Sequence, residues 1–116
     1  MDHDKSEYDV LIGKRLRFFR EKAGLTQMML ASGVGSTSSG YISQVENGLI
    51  TMDPDKLQKA ARILRVDPAV LTTREDLSED ELVMLDNLFK TFRIGKKNPY
   101  YKSLQTLLKE AANSEE

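Results

Sequence analysis

Apolar positions recur along this chain at helical spacing almost from its start, and nowhere with the alternation of a strand. Ile12, Leu16, Phe19 and Ala23 fall at i, i+4, i+7 and i+11, one stripe of a helix over 9–23. Gly24 is placed to end it. Thr26 is an N-cap for a short second helix, 27–32, carrying Met29, Leu30 and Ala31. Residues 33–40 hold three glycines and four hydroxyl side chains, a turn rather than the interior of an element. A third helix is expected from Ser38 through Tyr41, Ile42 and Val45 to a stop at Asn47-Gly48. Asp53-Pro54 and Asp67-Pro68 each set an N-cap before a proline at N1. They predict a fourth helix to Leu64, burying Leu57, Ala60, Ala61 and Leu64, and a fifth to Leu71.

After residue 76 the pattern changes. Ser78-Glu79-Asp80-Glu81 is a capping box, and Leu82, Leu85, Leu88, Phe89 and Phe92 then follow at three- and four-residue spacing. Gly95 to Asn98 breaks the run, and Asn98-Pro99 starts another helix with Tyr101, Leu104, Leu107, Leu108 and Ala111 on one side. The fold class expected is all-α: a flexible acidic arm at 1–8, a five-helix domain at 9–73 and a helical hairpin at 77–112. A hairpin shares only one seam, so part of its apolar surface must be covered elsewhere. Homodimerisation as a four-helix bundle, docking on the domain's own core, and binding of an antagonist protein are the three ways to cover it.

Composition removes several classes of function. The 116 residues contain no Cys and one His, which excludes a disulfide framework, a thiolate metal site and a catalytic triad. No metal or cofactor is expected. The carboxylates sit at helix starts, where capping and the helix dipole account for them, so no enzyme is expected. The longest apolar runs are too short to span a bilayer, and the acidic N-terminus does not resemble a signal peptide. A cytoplasmic protein is the expectation.

The net charge of −1 argues against a nucleic-acid partner until it is resolved along the sequence. Residues 1–13 are acidic, whereas Lys14, Arg15, Arg17, Arg20 and Lys22 face only Glu21 and Glu46 within 14–50. The positive excess is confined to one block.

That block carries a resemblance. IGKRLRFFREKAGLTQ (12–27), SSGYISQVENG (38–48) and DPDKLQKAARILRVDPAVL (53–71) resemble the Xre/lambda-repressor-like helix-turn-helix family. The resemblance covers about residues 10–72 and implies a five-helix domain that binds double-stranded operator DNA as a dimer, third helix in the major groove. It implies base reading by Ser39, Gly40, Ser43 and Gln44, of which Gln44 can pair bidentately with adenine. It implies phosphate contacts from Thr26, Gln27, Ser38, Tyr41, Asn47, Lys14 and Arg17. It implies a structural ion pair between Arg20 and Glu46. The loop Leu49–Met52 lacks the Lys or Arg often found there in the family, and the turn before Tyr41 is one residue longer than usual. The extra residue is expected to bulge within the glycine-rich turn.

The function expected is a bacterial or phage transcriptional repressor acting as a homodimer on an inverted repeat, nucleoid-associated when bound. Leu82, Leu85, Leu88, Phe89, Phe92, Tyr101, Leu104, Leu107 and Leu108 are its expected dimer or partner interface. The alternative is an antitoxin-type or partner-controlled regulator whose hairpin binds another protein, such as a toxin or antagonist.

Overall fold

Ser6 begins the first helix: its hydroxyl accepts from the Asp9 backbone N–H, and Glu7 and Asp9 favour the positive end of the helix dipole. The structure, a computed structural model, describes residues 6–92, 106–107 and 109–110. Among these, six helices follow one another: α1 Glu7–Lys22, α2 Gln27–Gly33, α3 Ser39–Glu46, α4 Pro54–Leu64, α5 Pro68–Thr72 and α6 Glu79–Phe92. α1 starts two residues before the position that the apolar stripe alone suggests. Glu7 and Tyr8 therefore belong to the helix rather than to an arm, and the Tyr8 hydroxyl donates to the Thr72 carbonyl at 2.8 Å. The remainder of the expected arm, 1–5, and most of the expected second hairpin helix lie outside the described residues.

The caps follow the sequence signals. Thr26, Ser38, Asp53 and Asp67 each accept a backbone N–H in the first turn of their helix, and proline occupies the first turn of α4 and α5. Ser78 and Glu81 cap each other reciprocally at 2.8 and 3.2 Å.

One core unites all six helices. Leu16, Leu30, Val34, Ile42, Val45, Val70 and Leu71 are fully enclosed, and Leu82, Leu85 and Phe89 of α6 join the same cluster. This corrects the interface expected of those three residues: they are covered by their own chain, because α6 lies on α5 instead of projecting from it. Asp86, also buried, accepts the Asp67 backbone N–H at 3.0 Å and pairs with Lys90 at 2.8 Å. A polar contact thus fixes how α6 sits on the start of α5.

The 71–75 segment is likewise held. The buried Arg15 guanidinium donates to the carbonyls of Leu71, Thr73 and Glu75, and Arg74 lies 3.9 Å from the Tyr8 ring centroid. Burial pulls the Arg15 pKa below the ordinary arginine range, and Asp76 and Tyr8 oppose that shift. Lys109 adds an ion pair to Glu75 at 3.3 Å.

Candidate nucleic-acid interface

The helix-turn-helix is built on a close approach. A Cβ at Gly13 of α1 would lie 2.8 Å from the Glu46 carbonyl oxygen and closer still to that of Val45. Glycine there lets α1 run against the C-terminal end of α3. On the same helix, Arg20 reaches Glu46 with Nε at 2.6 Å and Nη2 at 3.1 Å, and donates from Nη1 to the Leu25 carbonyl at 2.7 Å. The hydrogen bond to Glu46 raises the Arg20 pKa, although burial opposes it. Glu46 is buried, so this fork of charge-assisted bonds keeps a carboxylate in the interior and fixes α3 against α1.

Gln27, at the first position of α2, donates from Nε2 to Glu46 Oε1 at 3.0 Å. The family resemblance implies only a phosphate contact for this residue, and the structure ties it to the Arg20–Glu46 pair as well. An amide nitrogen has two N–H donors, so one remains.

α2 runs one residue further than expected, to Gly33, and Gly35 makes the reversal with a φ of 86°. The Ser36 N–H closes it by bonding to the Ala31 carbonyl at 2.8 Å. Val34, fully buried, plugs the end of the helix. The Ser36 hydroxyl then accepts from the Ser38 N–H and donates to the Ser38 carbonyl, tightening the approach to α3. Ser38 is the cap: its hydroxyl accepts from the Gly40 N–H at 3.0 Å, and a Cβ at Gly40 would come 3.2 Å from that oxygen. Register along α3 follows from this cap.

Ile42, Val45 and Glu46 face the core, which leaves Ser39, Gly40, Ser43 and Gln44 on the other side. Gly40 and Gln44 are exposed, Ser39 and Ser43 half-buried, and the Gln44 amide has no partner among the described residues. Asn47 makes a long 3.5 Å contact from Nδ2 to the Ser43 hydroxyl. The Tyr41 hydroxyl accepts from the Asp53 N–H at 3.0 Å and so ties α3 to the start of α4. On α1, Lys14 is exposed without a partner among the described residues, whereas Arg17 pairs with Glu21 at 3.2 Å on the helix surface. The exposed face of α3 therefore offers neutral, two-sided hydrogen-bonding groups, with few free cations near it among the described residues.

Residues 11–73 match the family model described as a helix-turn-helix domain. The chain belongs to that family. This agrees with the Xre-type resemblance of its three sequence blocks, and it supports a DNA-binding transcriptional regulator. A solved structure of a SinR protein/SinI protein complex superposes with a TM-score of 0.54 at 22% identity, over 88% of this chain and 98% of that one. At that identity the likeness is one of fold. No curated protein matches the chain. No helix of the described residues is long and apolar enough to cross a membrane.

Arg15 and Asp86 are the residues that sequence reasoning missed. Their signal is positional: both charges fall on the apolar stripe of their helix, between Ile12 and Phe19 and between Leu82 and Phe89, where a charge must be paired to be buried.

Proposed function

We propose that the protein is a sequence-specific transcriptional repressor that binds an inverted-repeat operator as a dimer, with α3 in the major groove. The observation that carries the reading is the Gln44 amide, without a partner among the described residues, on the solvent face of a helix whose opposite face is locked by Arg20 and Glu46. A groove-reading helix needs free hydrogen-bonding groups outward and a rigid seat behind. Ser39, Gly40 and Ser43 share the reading face with Gln44; Thr26, Gln27, Ser38, Tyr41, Asn47, Lys14 and Arg17 supply backbone contacts. Repression follows from occupying a promoter in the cytoplasm, with no catalytic step.

The functional division we assign is an arm ahead of α1, a DNA-binding unit from α1 to residue 73 and a pairing hairpin at 77–112. With Leu82, Leu85 and Phe89 in the core, the pairing surface falls to Leu88, Phe92, Tyr101, Leu104, Leu107 and Leu108. Leu107 is 61% exposed, and Met84 of α6 adds a second exposed apolar side chain at 60%. A second reading, a regulator controlled by a protein partner, is favoured by the likeness to a solved complex of a SinR protein with a SinI protein.

Selection of bound sites from random DNA tests the reading. Two half-sites in inverted orientation are expected; no enrichment over the starting pool would sink it. Sedimentation of Leu107→Glu tests the pairing surface: an unchanged dimer removes the hairpin's role, and a wild-type monomer favours the partner-controlled reading.

A further inference from the structure

A carboxylate of α1 occupies the loop that leaves the reading helix. Thr51 Oγ1 donates to Asp9 Oδ2 at 2.9 Å, joining residues 42 apart in the chain, and Thr51 is exposed. Val10, the next residue of α1, presses on Gly48, whose φ of 74° starts the loop. Asp9 stands three residues after the Ser6 cap, where an acidic side chain can turn back to its own helix. It bonds the distant threonine instead.

Two features make this contact consequential. First, Leu49, Ile50, Thr51 and Met52 contain a single side chain with a hydrogen-bond donor, the Thr51 hydroxyl, and a hydroxyl has only one hydrogen to give. Second, with α3 in the major groove as proposed, the loop follows directly from the C-terminal end of that helix and is carried to the DNA backbone beside the groove. The Leu49 N–H bonds to the Gln44 carbonyl at 2.9 Å, which holds the loop there.

We propose that Asp9 is a specificity-determining residue: it holds the Thr51 proton away from the DNA backbone and presents a negative charge where a phosphate must come. Backbone affinity carries no sequence information. Suppressing it at the loop raises the share of binding that depends on Gln44 and its serine neighbours. This rests on the DNA-binding reading proposed for α3.

The test is a double-mutant cycle on the full chain, with Asp9→Ala, Thr51→Val and their combination, binding measured on the selected operator and on random DNA. Asp9→Ala is expected to tighten binding to both DNAs, by about two- to tenfold, the worth of one hydrogen bond. Thr51→Val is expected to change little in the wild-type background and to abolish most of that gain in the Asp9→Ala background. Glu7→Ala, which removes a neighbouring charge without touching Thr51, controls for general electrostatics, and circular dichroism confirms folding. Equal effects of Thr51→Val in both backgrounds, or an unchanged affinity in Asp9→Ala, overturn the inference while leaving the DNA-binding reading intact. Failure of the wild type to bind either DNA overturns both.

Discussion

Gln27 Nε2 lies 3.0 Å from Glu46 Oε1, so the first residue of α2 and the last residue of α3 are joined through the carboxylate that Arg20 also grips. The bond orients the Gln27 amide without exhausting it. Gln27→Ala should weaken binding to operator and random DNA by the same factor. Gln27→Glu should be worse, because it sets a second carboxylate against Glu46 and removes the donor. Filter binding on two unrelated sequences checks this, and a loss confined to the operator would contradict it.

Glu46 is buried and accepts from two side chains, and among the described residues Arg20 has no second carboxylate of comparable burial. Arg20→Met should cost about 3 kcal/mol, since it leaves a buried charge with only an amide for a partner. Denaturant melts measure the loss. DNA binding should return on cooling or when stabilising solutes restore the folded fraction, because Arg20 acts through the seating of α3.

Gln44 carries the sharpest sequence prediction. Gln44→Ala should relax preference at one base position per half-site, with about 1–3 kcal/mol of discrimination lost there and the other positions retained. Repeating the site selection with the variant reads this out directly.

Arg15 donates to three backbone carbonyls between residues 71 and 75. Arg15→Met keeps most of the side chain's volume but leaves those carbonyls without their buried donor. A loss of about 3 kcal/mol is expected. Hydrogen exchange should accelerate in residues 72–92 before it does in α2 and α3; uniform acceleration would mean that Arg15 supports the whole core instead.

Arg65 ends α4 with a φ of 59° and a ψ of 42°, a left-handed conformation that favours glycine. Arg65→Gly should stabilise the fold by about 0.5–1 kcal/mol, the relief of backbone strain less the entropy that glycine loses on folding. A rise of a few degrees in Tm would register it. A decrease would show that the side chain contributes more than the strain removes.

Much of the local structure could be read from the chain. Ser or Thr before α2 and α3, Asp-Pro before α4 and α5, and Ser78 with Glu81 before α6 mark helix starts because each supplies an acceptor to N–H groups that have no partner of their own. The turn was harder. Glycine at both 33 and 35 tolerates the reversal; the structure keeps Gly33 helical and turns at Gly35, with Val34 buried between them. The α6 residues were harder still, since a leucine stripe looks the same whether it meets its own chain or another.

The sequence by itself determined the helices, their caps and the order of the three blocks that place the chain in its family, because those features depend on neighbours a few residues apart. Tertiary structure decided what the charges do. Arg15 fastens the 71–75 segment, Asp86 fastens α6 to the start of α5, Gln27 joins the Arg20–Glu46 pair, and Asp9 accepts a hydrogen bond from the Thr51 hydroxyl. Each of these links joins residues 19 or more positions apart. No local rule fixes such a pairing: it exists only once packing brings the two groups within hydrogen-bonding distance.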